Sequence, residues 1–417
     1  MFKNRWWLVF GSVLALIVGN GTINVFAVGI FFKPIARDLG FGRGIISTAI
    51  GVTNICTALM VPFFGRLIDK YGVRRILLPA IVLFAVTTAA RSLITSSVVV
   101  LFVIFALGGF AGAGQSTTPY SKLIAERFDT QRGLALGIVL SGVGLGTAIV
   151  PQYATFLLRH FGWRVGFLGV GCLIIILAFI PAAVFCKEPA RSSVQKGAAR
   201  AATPGMEFSE AVRTFQFWAV WVIFFFATVA INGSLIHVVP MLTDRGLPVA
   251  AATAALSFSG IALIGGRLLS GYLLDKIFAP YIGIFFLVTP MIGLAILGMG
   301  YRGAGPVVGT VLLGMGMGAE IDLLAYIIAA YFGVRAFGAI HGFIFMGALL
   351  ANAVGAAALG WCYQLTKSYS IGFITFEIIL AISVVLFALL GPYRFPVRKH
   401  NKGAGEVNRN AEVKVCQ

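Results

Sequence analysis

The chain has 417 residues, 59% of them hydrophobic and only 11% charged, far below the roughly one quarter charged of a soluble domain. A soluble fold of this length cannot hide that much apolar surface, which excludes a water-soluble enzyme or binding domain. The formal net charge of +18 sits in short segments between apolar runs, which marks the cytoplasmic side of a membrane protein rather than a nucleic-acid surface.

The apolar runs are about 19–27 residues long, enough to cross roughly 30 Å of hydrocarbon. Backbone polar groups must be satisfied inside lipid, so the runs are helices. They are predicted over 6–32, 44–64, 76–95, 98–121, 133–157, 164–186, 216–242, 252–274, 281–300, 305–329, 338–361 and 371–391. The first run is too long for a signal peptide and has no obvious cleavage site, so it reads as a retained helix. Residues 188–213, rich in Ala, Ser, Gly, Arg and Lys, are the one long polar connection. The expected fold is therefore an all-α membrane protein with twelve transmembrane helices in two six-helix halves. The N-terminal half is 1–187, the cytoplasmic linker 188–213, the C-terminal half 214–391 and a charged, disordered cytoplasmic tail 392–417. With the N-terminus inside, cytoplasmic segments hold 22 Lys and Arg and outer loops hold 9, so both termini are expected in the cytoplasm.

The halves repeat. Gly65-x-x-x-Asp69-Lys70 follows helix 2, and Gly271-x-x-x-Asp275-Lys276 follows helix 8 with the same spacing. Gly133-x-x-x-Gly137 opens helix 5, and Gly338-x-x-x-Gly342 opens helix 11. Two halves of one design imply a cavity between them near the bilayer midplane.

The stretch Gly65-Arg-Leu-Ile-Asp69-Lys70-Tyr-Gly72-Val-Arg74-Arg75 resembles the loop 2–3 signature of the major facilitator superfamily. Gly65 and Gly72 permit close approach and a tight turn. Asp69 can pair with a cation or with a helix N-terminus across the seam, latching the cytoplasmic face in one state. The same gating reading takes in Arg74, Asp275 and His341. Further motifs resemble the monocarboxylate-porter branch, which includes the oxalate/formate antiporter. They are Arg127-Phe128-x-x-x-Arg132-Gly133, Phe161-Gly-Trp163-Arg164, Arg213-Thr-x-Gln216-Phe217-Trp218 and Gly266-Arg267-Leu-Leu-Ser-Gly271. The resemblance implies secondary transport of small organic anions by proton symport or anion exchange, and it places on Arg267 the helix 8 arginine that binds substrate carboxylate.

Arg267 also stands out on physical grounds. It lies eight residues before Asp275, about 12 Å into the membrane at 1.5 Å per residue. A charge there costs at least about 2.5–3.5 kcal/mol unless it meets water or a partner. The matching position of the first half is Val61, so the scaffold needs no cation there. A guanidinium fork suits a carboxylate. Helix 10 carries Glu320 and Asp322 in an apolar span. Asp322 shares a face with Tyr326 at i, i+4, and either acid is a candidate proton carrier or a structural partner of Arg267. Asn20 and Asn24 make one face of helix 1 polar. Gln115, Thr117, Thr118 and Tyr120 cluster around Pro119, which is expected to break helix 4. These side chains either line the cavity or bond helix to helix.

The chain departs from the antiporter pattern at Ala348, where that pattern has a helix 11 lysine, and this leaves Arg267 as the one cation clearly inside the bundle. A single cation favours a monocarboxylate over a dianion such as oxalate. The helix 1 charged signature of animal monocarboxylate transporters is also missing. The expectation is a monomeric, multi-pass secondary transporter of a bacterial inner membrane, moving a small organic anion, coupled to protons by Asp322 or Glu320. Arg267, Asn20, Asn24, Gln115, Thr118, Tyr120 and Tyr326 would bind the substrate. Rival readings are an anion exchanger and an exporter of neutral or cationic compounds. No nucleotide loop, H-E-x-x-H, G-x-S-x-G or Cys/His cluster appears, so no enzyme, cofactor or metal is expected.

The orientation is directly testable through the cysteine in the C-terminal tail. With Cys56, Cys172, Cys186 and Cys362 replaced, Cys416 should react with a membrane-impermeant maleimide in inside-out vesicles and resist it in right-side-out ones. Equal reaction in both preparations contradicts the cytoplasmic assignment.

Overall fold

The computed structural model describes residues 5–41, 43–128, 131–186, 204–300 and 303–395. Most of the 188–213 connection and of the 392–417 tail lies outside the described residues. Apart from one antiparallel bridge between Gly205 and Gly333, the described secondary structure is helical. The first half holds α1 (Trp6–Ile17), α2 (Phe32–Leu39), α3 (Arg43–Tyr71), α4 (Val73–Ala90), α5 (Val98–Gly114), α6 (Thr117–Arg127), α7 (Arg132–Ile174) and α8 (Ile180–Phe185). The second half holds α9 (Phe208–Ala211), α10 (Phe215–Asp244), α11 (Val249–Leu274), α12 (Ala279–Gly298), α13 (Gly305–Tyr331), α14 (Phe337–Thr366) and α15 (Ser370–Leu389).

Among the described residues, eleven spans are long and apolar enough to cross a membrane. One of them, Arg132–Phe185, has 54 residues, more than twice the roughly 20 that a crossing needs. It contains two helical stretches that meet at Gly162, where φ is 79°. Only glycine takes that conformation without steric cost, so the chain can reverse there.

Two crossings are broken, one that reads as continuous and one where a break was expected. The run 6–32 leaves the α-helix after Ile17, turns at Val18 and Gly19, and resumes as the π-helical segment Gly21–Ala27. Gly19, Asn20 and Gly21 are poor helix formers in succession. The run 98–121 breaks at Gln115 and Ser116, ahead of the expected Pro119. Pro119 lies in the first turn of α6, where an N–H would have no helical partner anyway. The two breaks satisfy each other. Asn20 N–H donates to the Gln115 carbonyl at 3.3 Å, and Gln115 Nε2 donates to the Ala15 carbonyl at 3.1 Å. Tyr120 Oη, fully buried, donates to Gln115 Oε1 at 2.8 Å.

The halves meet where α3 packs on α14 and α7 packs on α11. The inner ends of these pairs form the face that the charge count assigns to the cytoplasm, here the inner face. The repeated glycines let backbones touch. A Cβ on Gly65 would lie 2.0 Å from the Gly338 carbonyl oxygen, and one on Gly133 would lie 2.4 Å from that of Gly271. By contrast a Cβ on Gly260, in the outer half of α11, meets nothing within 4 Å.

Gly133→Ala should therefore push the halves apart on the inner face, at a cost of about 1–3 kcal/mol for overpacking. A drop of several degrees in Tm in detergent is expected. Gly260→Ala, which gains helix propensity without a clash, should hold or raise Tm. Equal Tm for both variants contradicts the close-contact account.

Candidate functional site

Asp69 lies in the last turn of α3, before Gly72 turns the chain at φ 93°. Its Oδ1 accepts from Lys122 Nζ at 2.6 Å and from Gly338 N–H at 3.0 Å, and its Oδ2 accepts from Ala339 N–H at 2.8 Å. Gly338 and Ala339 open α14, so these N–H groups have no partner within their own helix and carry the positive end of its dipole. Asp275, just past α11, repeats the arrangement. Its Oδ1 accepts from Gly133 N–H at 2.8 Å and its Oδ2 from Leu134 N–H at 3.0 Å. Burial pushes the Asp275 carboxyl above its usual range, while these two N–H groups and Arg132 pull it back down. Each half thus caps a helix of the other with a carboxylate from the same place in the repeat.

A third tie joins the halves. His341 Nδ1 of α14 lies 3.1 Å from Thr118 Oγ1 of α6, and both side chains are buried. The imidazole is flanked by the rings of Phe337 and Phe345, with centroids 5.5 and 5.7 Å away. Arg74 acts elsewhere: its Nη2 donates to the Ala183 carbonyl at 2.8 Å, tying α4 to α8 within the first half.

Two turns outward from Asp275, Arg267 is 3% exposed. Its Nη1 crosses the seam and donates to the carbonyl of Leu140 in α7, and its Nε has no hydrogen-bond partner among the described residues. Asp322 of α13 is fully buried, and neither carboxylate oxygen accepts a hydrogen bond from a described residue. Ser270 stands near it, but the Ser270 hydroxyl donates to the Arg267 carbonyl at 3.0 Å. Gly318, one turn earlier on the same face, packs against α11, where its Cβ would lie 3.0 Å from Arg267 N. Arg267 is within electrostatic reach of Asp322 first and Glu320 second. Yet among the described residues no Arg267 nitrogen comes within the 4.0 Å of an ion pair. Glu320 points elsewhere. Thr228 of α10 donates to its Oε1, and it lines a small apolar cavity with Phe224, Ala227, Phe286 and Phe387. Tyr326 sits one turn nearer the inner face than Asp322, buried and within reach of Tyr393 and Asp275.

In the first half, Asn24 Nδ2 donates to Asn20 Oδ1 at 2.7 Å, and Arg91 Nη2 donates to Asn24 Oδ1 at 2.7 Å. Arg91, near the outer end of the run 76–95, was one of the 9 cations assigned to the outer side, and Arg267 was expected to be the one cation clearly inside the bundle. The structure corrects this. Arg91 follows the last residue of α4, but its side chain turns inward and is fully buried over the rings of Phe105 and Phe167. Arg91, Thr228 and the Leu140 carbonyl are the members of the polar framework that the sequence did not mark. For Arg91 the one available signal was a cation inside an apolar run.

Residues 9–339 match the major facilitator superfamily. The chain belongs to that superfamily. As a major facilitator protein it is a multi-pass membrane transporter and not an enzyme. It is 26% identical over 388 residues to monocarboxylate transporter 13 of Bos taurus, an alignment covering 92% of this chain and 86% of that one. It is 26% identical over 287 residues to the oxalate:formate antiporter of Oxalobacter formigenes, covering 66% of this chain and 65% of that one. Its fold resembles that of the E. coli fucose:proton symporter FucP, with a TM-score of 0.70 at 12% identity, covering 92% of this chain and 98% of that one.

The two caps of this facilitator can be loosened without changing side-chain size. In Asp275→Asn one acceptor becomes an amide that faces an N–H group. Asp69→Asn does the same while also taking the charge partner from buried Lys122, which adds to its cost. Losing a cap is worth about 1 kcal/mol, or about fivefold in the open fraction. A cysteine introduced at Ser141 in α7 should then be alkylated from the inner side several-fold faster than in the parent. An unchanged rate in both variants contradicts the latch.

Proposed function

We propose that this facilitator moves a small organic anion of the monocarboxylate type by alternating access, with Arg267 as the carboxylate-binding cation. The observation that carries the reading is the buried pair at the seam. Arg267 Nε and both Asp322 oxygens lie out of water on neighbouring helices, without hydrogen-bond partners among the described residues and not in contact with each other. Uncompensated charges of this kind are costly, so their retention calls for a function. A carboxylate entering between them would occupy the open side of the guanidinium fork. Two relatives bear names that fit: a monocarboxylate transporter and an oxalate:formate antiporter.

The geometry also supports a coupling scheme. Ionised Asp322 attracts Arg267 and repels an incoming carboxylate. Protonated Asp322 does neither, so an anion and a proton bind together more readily than either alone. One anion with one proton moves no net charge. Glu320 is the weaker carrier candidate, because Thr228 already holds it inside the second half and away from the seam. The Leu140 carbonyl gives Arg267 a tether to the first half in this closed-inside conformation. Substrate competes for the same guanidinium, which links binding to the seam.

Two variants test this reading in proteoliposomes. Arg267→Gln should abolish uptake of labelled monocarboxylates, with a loss of at least about 100-fold for removing a charge-assisted pair worth about 3 kcal/mol. Asp322→Asn should keep exchange of internal for external anion but lose accumulation driven by an inward proton gradient. Full transport by Arg267→Gln would favour the exporter reading. Gradient-driven accumulation that survives in Asp322→Asn would remove Asp322 from coupling.

A further inference from the structure

The first half holds a buried cation with no described acid beside it. Arg91 is fully buried, and none of its nitrogens lies within 4 Å of a described carboxylate. Its Nε and Nη1 have no hydrogen-bond partner among the described residues, and Phe105 and Phe167 offset only part of the charge, with centroids 5.0 and 6.0 Å from Cζ. The one described side chain it bonds is Asn24, through Nη2 to Oδ1 at 2.7 Å.

That bond fixes a direction. Arginine only donates, so the Asn24 atom facing it must be the carbonyl oxygen. Asn24 Nδ2 is thereby turned to Asn20 and donates to its Oδ1 at 2.7 Å, with a longer 3.5 Å contact to the Gly108 carbonyl. Asn20 then presents its own Nδ2 away from the chain of bonds. Asn20 is the part-exposed member, and its Nδ2 is neither buried nor bonded to a described residue. Three groups in a row, each donating to the next, strengthen one another and deliver the partial positive charge of Arg91 to a surface N–H. The backbone beside Asn20 runs near the seam, while Asn20 Oδ1 itself faces Gly112 of α5. Gly21, next to Asn20, lies against Val143 of α7, and the Leu140 carbonyl that holds Arg267 is three residues away, about 4.5 Å along the helix.

We infer that Arg91 and Asn24 are positioning residues that polarise Asn20, and that the Asn20 amide is a second recognition point on the wall of the first half. It takes a second acceptor oxygen of an acid whose carboxylate is held by Arg267. The inference rests on the anion reading above and adds a specificity rule: an acid with a second acceptor oxygen binds better than its deoxy analogue.

Pyruvate and propionate are matched in length and differ in one acceptor oxygen. The measurement is the ratio of their Kd values on the purified full chain, with Tm read alongside. The parent should prefer pyruvate about fivefold or more, and Asn20→Ala should bring the ratio near one while propionate affinity changes little. Asn24→Asp separates relay from staple. An ionised carboxylate pairs better with Arg91, so a purely structural Arg91 predicts an equal or higher Tm and an unchanged ratio. The relay predicts an equal or higher Tm with the preference lost, because a carboxylate cannot donate to Asn20. An unchanged ratio in Asn20→Ala or in Asn24→Asp, or no preference in the parent, overturns the inference alone. Binding of neither acid by the parent overturns the anion reading and this inference with it.

Discussion

Two carboxylates hold the inner face together, each capping a helix that belongs to the opposite half. Asp69 meets the first N–H groups of α14, and Asp275 meets those of α7. The choice of partner matters physically. A helix N-terminus offers donors that must be satisfied in any state, by a side chain or by water. Breaking the cap on a water-exposed face therefore costs about 0.5–2 kcal/mol, far less than stranding one member of a buried ion pair. The glycines at 65, 133, 271 and 338 bring the backbones close enough for the caps to form. The result is a closed face that small differences in binding energy can open.

What lies just outward of the caps determines what can open them. Arg267 reaches across the seam to a carbonyl of the first half, so part of the closed state is carried by the residue proposed to hold substrate. Asp322 stands near it without touching, and Glu320 is tied back to Thr228. The two acids of one helix thus point to different partners, as expected two residues apart on an α-helix. On the other wall Arg91 supplies charge through two amides rather than directly. The seam has a cation behind each wall, and their reach differs.

Much of this was legible in the sequence. The repeat of Asp69 and Asp275, with glycines at matching offsets, pointed to a matching arrangement in the two halves, which the structure shows as paired helix caps. Arg267 stood out because its repeat partner is Val61, and the structure buries it at the seam with Nε unpartnered among the described residues. Other features were hidden for physical reasons. Mean hydropathy runs straight through Gly19-Asn20-Gly21, so helix 1 reads as whole, and Pro119 drew the helix 4 break about one turn past its place at Gln115-Ser116. Breaks depend on tertiary partners, here the Asn20 and Gln115 backbone groups of different helices. Arg91 was misplaced because a side chain at a helix end can snorkel to water or fold inward, and hydropathy does not separate the two. Arg74 belongs to the recognised motif yet braces α4 on α8, since a motif fixes residue type and not partner.

If substrate competes for the guanidinium that tethers the halves, an anion on Arg267 should loosen the inner face. Spin labels on cysteines at Lys70 and Lys276, matching exposed positions of the two halves, report the inner-face separation. Adding propionate at acid pH should shift the distance distribution to longer values in an otherwise unaltered protein and leave it unmoved in Arg267→Gln. The same shift in both proteins, or none in either, would contradict the account.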